Sequence, residues 1–205
     1  MEWYKRFADV PGVSYERSSS IDLSQLHGYD SEPTLHEFEL DGKVHRSLHW
    51  PASEGSTSAS PVHQRAFSSR DAESPYSALR ELEETLELPG ELSDYHFAIQ
   101  GTCQAVFDKR RQDFKLLEEV ERLCWLDVAL IEAHPSVAEY EPGKFFRVVG
   151  YEMLVRLYEG EGYFVEALEV AERSAHLGQE YSPDLAQRLR TRLAEFEFED
   201  EAQRA

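Results

Sequence analysis

Apolar and polar residues alternate along one stretch of the first quarter of the chain, then recur every three or four positions along most of the remainder. In "TLHEFELDGKVHRSLHW", residues 34–50, the alternation and the Asp41-Gly42 turn signal predict a β-hairpin. With a three-residue loop, Phe38, Leu40, Val44, Leu48 and Trp50 fall on one face with His36 and Arg46. Glu37, Glu39, Lys43, His45, Ser47 and His49 then fall on the other. A hairpin of this kind is expected to pack its apolar face on the helices or to pair with a further strand, because a lone hairpin is marginal in water. "PGVSYER", residues 11–17, is a candidate for that strand, and "SSIDLSQLHG", residues 19–28, for a short helix with a Ser cap and a Gly stop.

Residues 51–75 break the pattern. They hold seven serines and three prolines, with Phe67 as the one large aromatic, and read as a linker. Six helices are predicted beyond it. The first begins at Ser74-Pro75 with a Leu79, Leu82, Leu86 stripe and ends at Pro89-Gly90. The next spans 92–109, and a long one about 112–133 is closed by His134-Pro135. Pro142-Gly143 precedes a fourth at about 144–159, so apolar that it must be largely surrounded. A fifth runs from Tyr163 to Leu177 before Gly178, and a sixth starts at Ser182-Pro183-Asp184, with Leu185, Leu189 and Leu193 inward and Arg188, Arg190 and Arg192 outward. The acids of "EFEFEDEAQRA" sit where a helix C-terminus disfavours them, which predicts fraying. The fold class is therefore mainly α: an antiparallel helix bundle, residues 76–205, with a small α+β extension at 1–50 and a linker at 51–75.

Within that bundle, "YEMLVRLYEGEGYFVEALEVAERSAHLG", residues 151–178, resembles a tetratricopeptide repeat. Tyr151, Leu154, Val155 and Tyr158 match the first helix, Gly162 the turn, and Phe164 and Ala167 the second helix. Val155 stands where the family has a smaller residue, Ala171 where an aromatic is usual, and the closing proline is missing. The resemblance implies close helix packing at these residues, with the sixth helix as a cap. It also implies a concave groove lined by the inner helix, which here presents Val149, Glu152, Arg156 and Glu159 as partner-binding residues. Glu152 and Arg156 are spaced to pair with each other if the face is merely solvated.

Charge bears on the partner. Forty acidic against 21 basic residues give a net charge of −19, spread along the chain, which repels nucleic acid and anionic membrane and favours a basic protein partner. "DKRRQDFK", residues 108–115, is the one basic cluster; it offsets neighbouring acids or docks an acidic partner. No apolar run has the length of a signal peptide core or a membrane span, so the expectation is a cytoplasmic protein. Apolar residues at 41% and aromatics at 12% suffice for a core.

Catalytic chemistry finds little support. Cys103 and Cys124 lie in apolar helical patterns without Cys-x-x-Cys spacing. Of the five early histidines, His27, His36, His45, His49 and His63, only His45 and His49 share a predicted face, roughly 13 Å apart along the strand. Glu37 could add one ligand at most, so neither a metal nor a cofactor is expected. No glycine-rich phosphate loop, nucleophile elbow or zinc-protease motif occurs. Three functions remain. The first is a non-catalytic interaction module, an adaptor or assembly factor. The second is an acidic inhibitor of a basic protein, such as an immunity protein or antitoxin. The third is an enzyme built on the hairpin histidines.

Overall fold

The computed structural model describes residues 21–68, 74–178 and 185–204. The "PGVSYER" strand and the Ser182 cap lie outside them. Three strands, β1 (Thr34–Leu40), β2 (Lys43–Ala52) and β3 (Gly55–Thr57), form an antiparallel sheet in that order. Seven helices follow among the described residues: α1 (Pro61–Ser68), α2 (Pro75–Leu86), α3 (Leu92–Phe107), α4 (Phe114–Ala133), α5 (Val149–Glu161), α6 (Phe164–His176) and α7 (Leu185–Arg204). A short two-stranded sheet, β4 (Glu139–Glu141) and β5 (Lys144–Phe145), lies between α4 and α5. The mainly helical fold with a small β extension is as the periodicity predicts.

Helix α4 is the spine. Leu116, Val120, Leu123, Leu126, Leu130 and Ile131 are all buried along it. Helix α3 packs on one side and α5 on another, α6 packs on α5, and α7 on α6. The α5–α6 pair has Tyr151, Leu154 and Ala167 fully buried, with Tyr158 and Phe164 half-buried. Gly162, at φ 86°, ends α5 in the left-handed conformation that lets the chain reverse immediately. Two polar networks pin the three helices together. Trp125 Nε1 donates to the Tyr158 hydroxyl at 2.8 Å, which donates to Glu121 Oε1 at 2.6 Å. Glu132 accepts from Tyr151 at 2.9 Å and from the Arg173 guanidinium.

Segment 51–75, expected as a linker, holds the end of β2, all of β3 and α1. Ser60 caps α1, its hydroxyl accepting from His63 N at 3.0 Å and donating to Asp94 Oδ2 at 2.7 Å. Val62 is fully buried against α3, and Arg65 pairs with Glu84 of α2. The fourth predicted helix begins at Val149 rather than near 144, because the turn at Gly143 (φ 74°) closes the β4–β5 pair first. The short predicted helix before β1 is a single 3-10 turn, Leu23–Gln25, capped by Asp22. Backbone helix continues through "EFEFEDEAQR" to Arg204, where fraying was expected.

The hairpin departs from expectation in register. Asp41 (φ 51°) and Gly42 (φ 72°) are both left-handed, so the loop has two residues, not three. The pairing runs Phe38 opposite His45 and Glu37 opposite Arg46, and Arg46 Nε donates to Glu37 Oε1 at 2.6 Å. This one-residue difference moves every β2 side chain to the other face relative to β1. One face therefore carries Thr34, His36, Phe38, Leu40, Lys43, His45, Ser47 and His49. The other carries Leu35, Glu37, Glu39, Val44, Arg46, Leu48 and Trp50. Only the base of the hairpin packs: Trp50 is buried and Leu48 half-buried, whereas all of β1 is exposed.

Candidate protein-docking surface

The expected groove on α5 is largely committed within the chain. Val149 is half-buried against the core, and its N–H donates to Gln100 Oε1 at 3.1 Å. Glu152 pairs with Arg147 from the loop ahead of the helix, not with Arg156. Glu159 accepts both nitrogens of Arg188 from α7, at 2.6 and 2.9 Å. Of the three charged residues, Arg156 makes no ion pair with a described residue; its guanidinium lies 5.2 Å from the Phe107 ring centre. The four share one helix face, as the spacing implies, but two of them hold neighbouring elements in place.

The hairpin is less committed. Leu35, Phe38, Leu40 and Val44 are 61, 42, 54 and 66% exposed, two on each face. In antiparallel pairing, hydrogen-bonded and open pairs alternate, and a two-residue turn makes its flanking pair, Leu40 and Lys43, the bonded kind. The amides and carbonyls of Leu35, Glu37 and Glu39 then point away from β2, along an edge that no described strand covers. A seven-residue open edge with flanking apolar side chains is a template for strand addition.

The histidines are rearranged by the same register. His36, placed by the sequence opposite His45 and His49, lies on their face. Its ring stacks on His49 at 4.6 Å, and Phe38 stacks on His45 at 5.4 Å. The face is an aromatic ladder. Among the described residues no group of three or more His, Cys, Asp or Glu side chains converges in a way that could hold a metal ion.

A buried polar pair went unnoticed in the sequence. His96 on α3 and Asp127 on α4 are 0 and 1% exposed, with His96 Nδ1 2.5 Å from Asp127 Oδ1. A lone His in "SDYHFAIQ" and a lone Asp in "CWLDVALI", each on an otherwise apolar helix, were the available signal. Both side chains are closed off from solvent by the helices around them. Beside them, contact with the Cys124 thiol, then burial, holds the Cys103 thiol well above its ordinary range, so it stays protonated and inert. An open depression bounded by Trp50, Leu48, Pro89, Gly90 and Val137 includes Glu91, whose carboxyl is raised by burial and then by Asp94. Glu32 is the other carboxylate that lines it, and no imidazole or thiol does.

No family model, curated protein or solved structure matches the chain. No helix among the described residues is long and apolar enough to cross a membrane.

Proposed function

We propose that the chain is a non-catalytic protein-interaction module of the cytoplasm, and that its partner adds a strand to the β1 edge of the hairpin. The helical part is the platform, with α5 and α6 packed in the manner of a tetratricopeptide unit. The observation that carries the reading is the seven-residue edge of β1 that no described strand pairs with, flanked by exposed Leu35, Phe38, Leu40 and Val44. Folded domains seldom leave such an edge and so many large apolar side chains in water unless something covers them.

Charge narrows the partner. Pairing β1 antiparallel with β1 of a second copy in full overlap sets Glu37 against Glu37, and like charges directly opposed disfavour it. A strand bearing Lys or Arg at alternate positions meets Glu39 instead, which faces Val44 across β2 and has no described cation of its own. The net charge of −19 steers such a basic partner toward the molecule. An acidic inhibitor of a basic protein is the special case in which the partner is an enzyme or toxin. The test is affinity capture with the full chain and with Glu37→Pro, which removes an outward amide without touching the β1–β2 ladder. The wild type should retain a partner that the proline variant loses. Equal retention by both would discard the strand-addition reading.

A further inference from the structure

Residues 108–115, "DKRRQDFK", were expected to offset neighbouring acids or to dock an acidic partner. The segment forms the turn between α3 and α4, where Arg110 and Arg111 meet Arg156 from α5. Arg110 is half-buried, with its guanidinium 3.7 Å above the Phe107 ring centre and its Nη1 donating to the Phe107 carbonyl at 2.7 Å. Arg156 approaches the same ring, and Arg111 Nη2 stands 3.6 Å from the position a Cβ on Gly160 would take. Gly160 carries no side chain there, so this part of the rim stays open.

None of the three cations forms an ion pair with a described residue. Eight other arginines, Arg46, Arg65, Arg80, Arg122, Arg147, Arg173, Arg188 and Arg190, each have a carboxylate within ion-pair distance. None of Arg110, Arg111 and Arg156 has one among the described residues. This is unexpected in a chain with 40 acids, and it is costly: burial, then the positive charges of Arg111 and Arg156, lower the affinity of Arg110 for its proton. Asp108 and Glu161 act on Arg110 in the opposite sense, but from beyond pairing distance. Holding Arg110 and Arg156 over one aromatic ring, with Arg111 beside them, is repaid when an anion bridges the charges.

We infer that Arg110, Arg111 and Arg156 form a binding site for a phosphate monoester. The dianion supplies two negative charges and three acceptor oxygens to three guanidinium forks, a match that a single carboxylate, with one charge and two oxygens, cannot make. Arg110 is already fixed by its stacking and its bond to Phe107, so less side-chain freedom is lost on binding. The field of a −19 chain repels an extended polyanion such as nucleic acid, whereas a single compact phosphate feels mainly the local cations. The site goes beyond strand docking on β1, uses different elements, and stands or falls independently of it.

The ligand can arrive as a free phosphate compound or as a phosphorylated side chain of a protein. Isothermal titration of the full chain at fixed ionic strength, with inorganic phosphate and with a neutral peptide bearing one phosphoserine, separates the two. At least one probe should bind saturably, with a dissociation constant below about 10 mM, and Arg111→Gln/Arg156→Gln should weaken it at least about tenfold. Both substituted residues are exposed, so the variant is expected to fold, and its melting curve checks that. Arg192→Gln, at an exposed arginine over Phe164, should leave binding unchanged. Tighter peptide binding marks a protein-borne phosphate, and equal or weaker peptide binding a free one. Failure of both probes to bind the wild type, or undiminished binding by the folded double variant, overturns the assignment.

Discussion

Gly90→Ala reports directly on whether α1 is part of the core. A Cβ at this position would stand 2.7 Å from Val62 Cγ2, 2.9 Å from Val62 Cβ and 3.2 Å from Ser60 Oγ. Ordinary carbon contacts lie at about 3.5–4.0 Å, so the neighbours must move. The Val62 methyl can rotate away, but Val62 Cβ is fixed to the α1 backbone, and Val62 is fully buried. Gly90 does not have a positive φ, so alanine is sterically allowed by the backbone itself. On an undocked segment the substitution would stabilise by about 0.4–1 kcal/mol, through reduced freedom of the unfolded chain. Overpacking costs about 1–3 kcal/mol, which leaves a net destabilisation of about 0–2.6 kcal/mol. At about 2–4 °C per kcal/mol for a chain of this size, the melting temperature should fall by up to roughly 10 °C. Urea unfolding followed by tryptophan fluorescence measures the free energy. The decisive addition is Val62→Ala, which removes the two methyls and lets α1 yield. The double variant should be less destabilised than the sum of the singles, by about 0.5–3 kcal/mol. A neutral or stabilising Gly90→Ala with no coupling to Val62 would refute the docking of α1.

Four further outcomes follow from the packing and the charges. Asp127→Leu should cost about 3–5 kcal/mol in urea unfolding because it strands the buried His96, while His96→Leu/Asp127→Leu should recover part of that loss. Ala167→Leu should cost about 1–3 kcal/mol by overpacking the α5–α6 contact, and an unchanged melting temperature would show that these helices do not meet there. The carboxyl of Glu91 has a folded pKa raised above its ordinary 4.5, so it binds its proton more tightly when folded. Its favourable contribution is complete below that value and is lost as pH rises through the folded pKa; Glu91→Gln should therefore gain stability relative to wild type over that rise and match it in acid, a difference that unfolding curves across pH 3–7 would show. Glu37→Gln removes the charges that oppose each other in a self-paired β1, so sedimentation velocity should detect more self-association than in the wild type.

The helices were legible because their signals are local and redundant. Ser74-Pro75 reads as a cap, and the structure shows Ser74 in a capping box with Ser77. Ser60-Pro61 carries the same signal, yet the surrounding serines made the segment look like a linker. What commits α1 to the fold is tertiary: Val62 against α3 and Ser60 against Asp94. The hairpin was legible as an element but not in register, since a single loop residue decides which faces meet, and the choice rested on the left-handed conformation of Asp41. That error concealed the His36–His49 stack. The α5 face was correctly spaced, but its availability was not readable. Arg147 and Arg188, which engage Glu152 and Glu159, approach from a loop and from another helix. The arginine cluster was visible as "KRR", whereas Arg156 joins it only through the packing of α5 beside the α3–α4 turn.

The account's central claim is that a partner pairs with the outer edge of β1. Residue-resolved amide exchange, with and without the partner captured by the wild type, tests it most directly. The outward amides of Leu35, Glu37 and Glu39 should exchange freely in the isolated protein and become protected by about tenfold or more in the complex, while those of His36 and Phe38, already bonded to β2, change less. Protection confined to α5 around Glu152 and Arg156, with β1 unchanged, would contradict the account and return the docking surface to the helical groove.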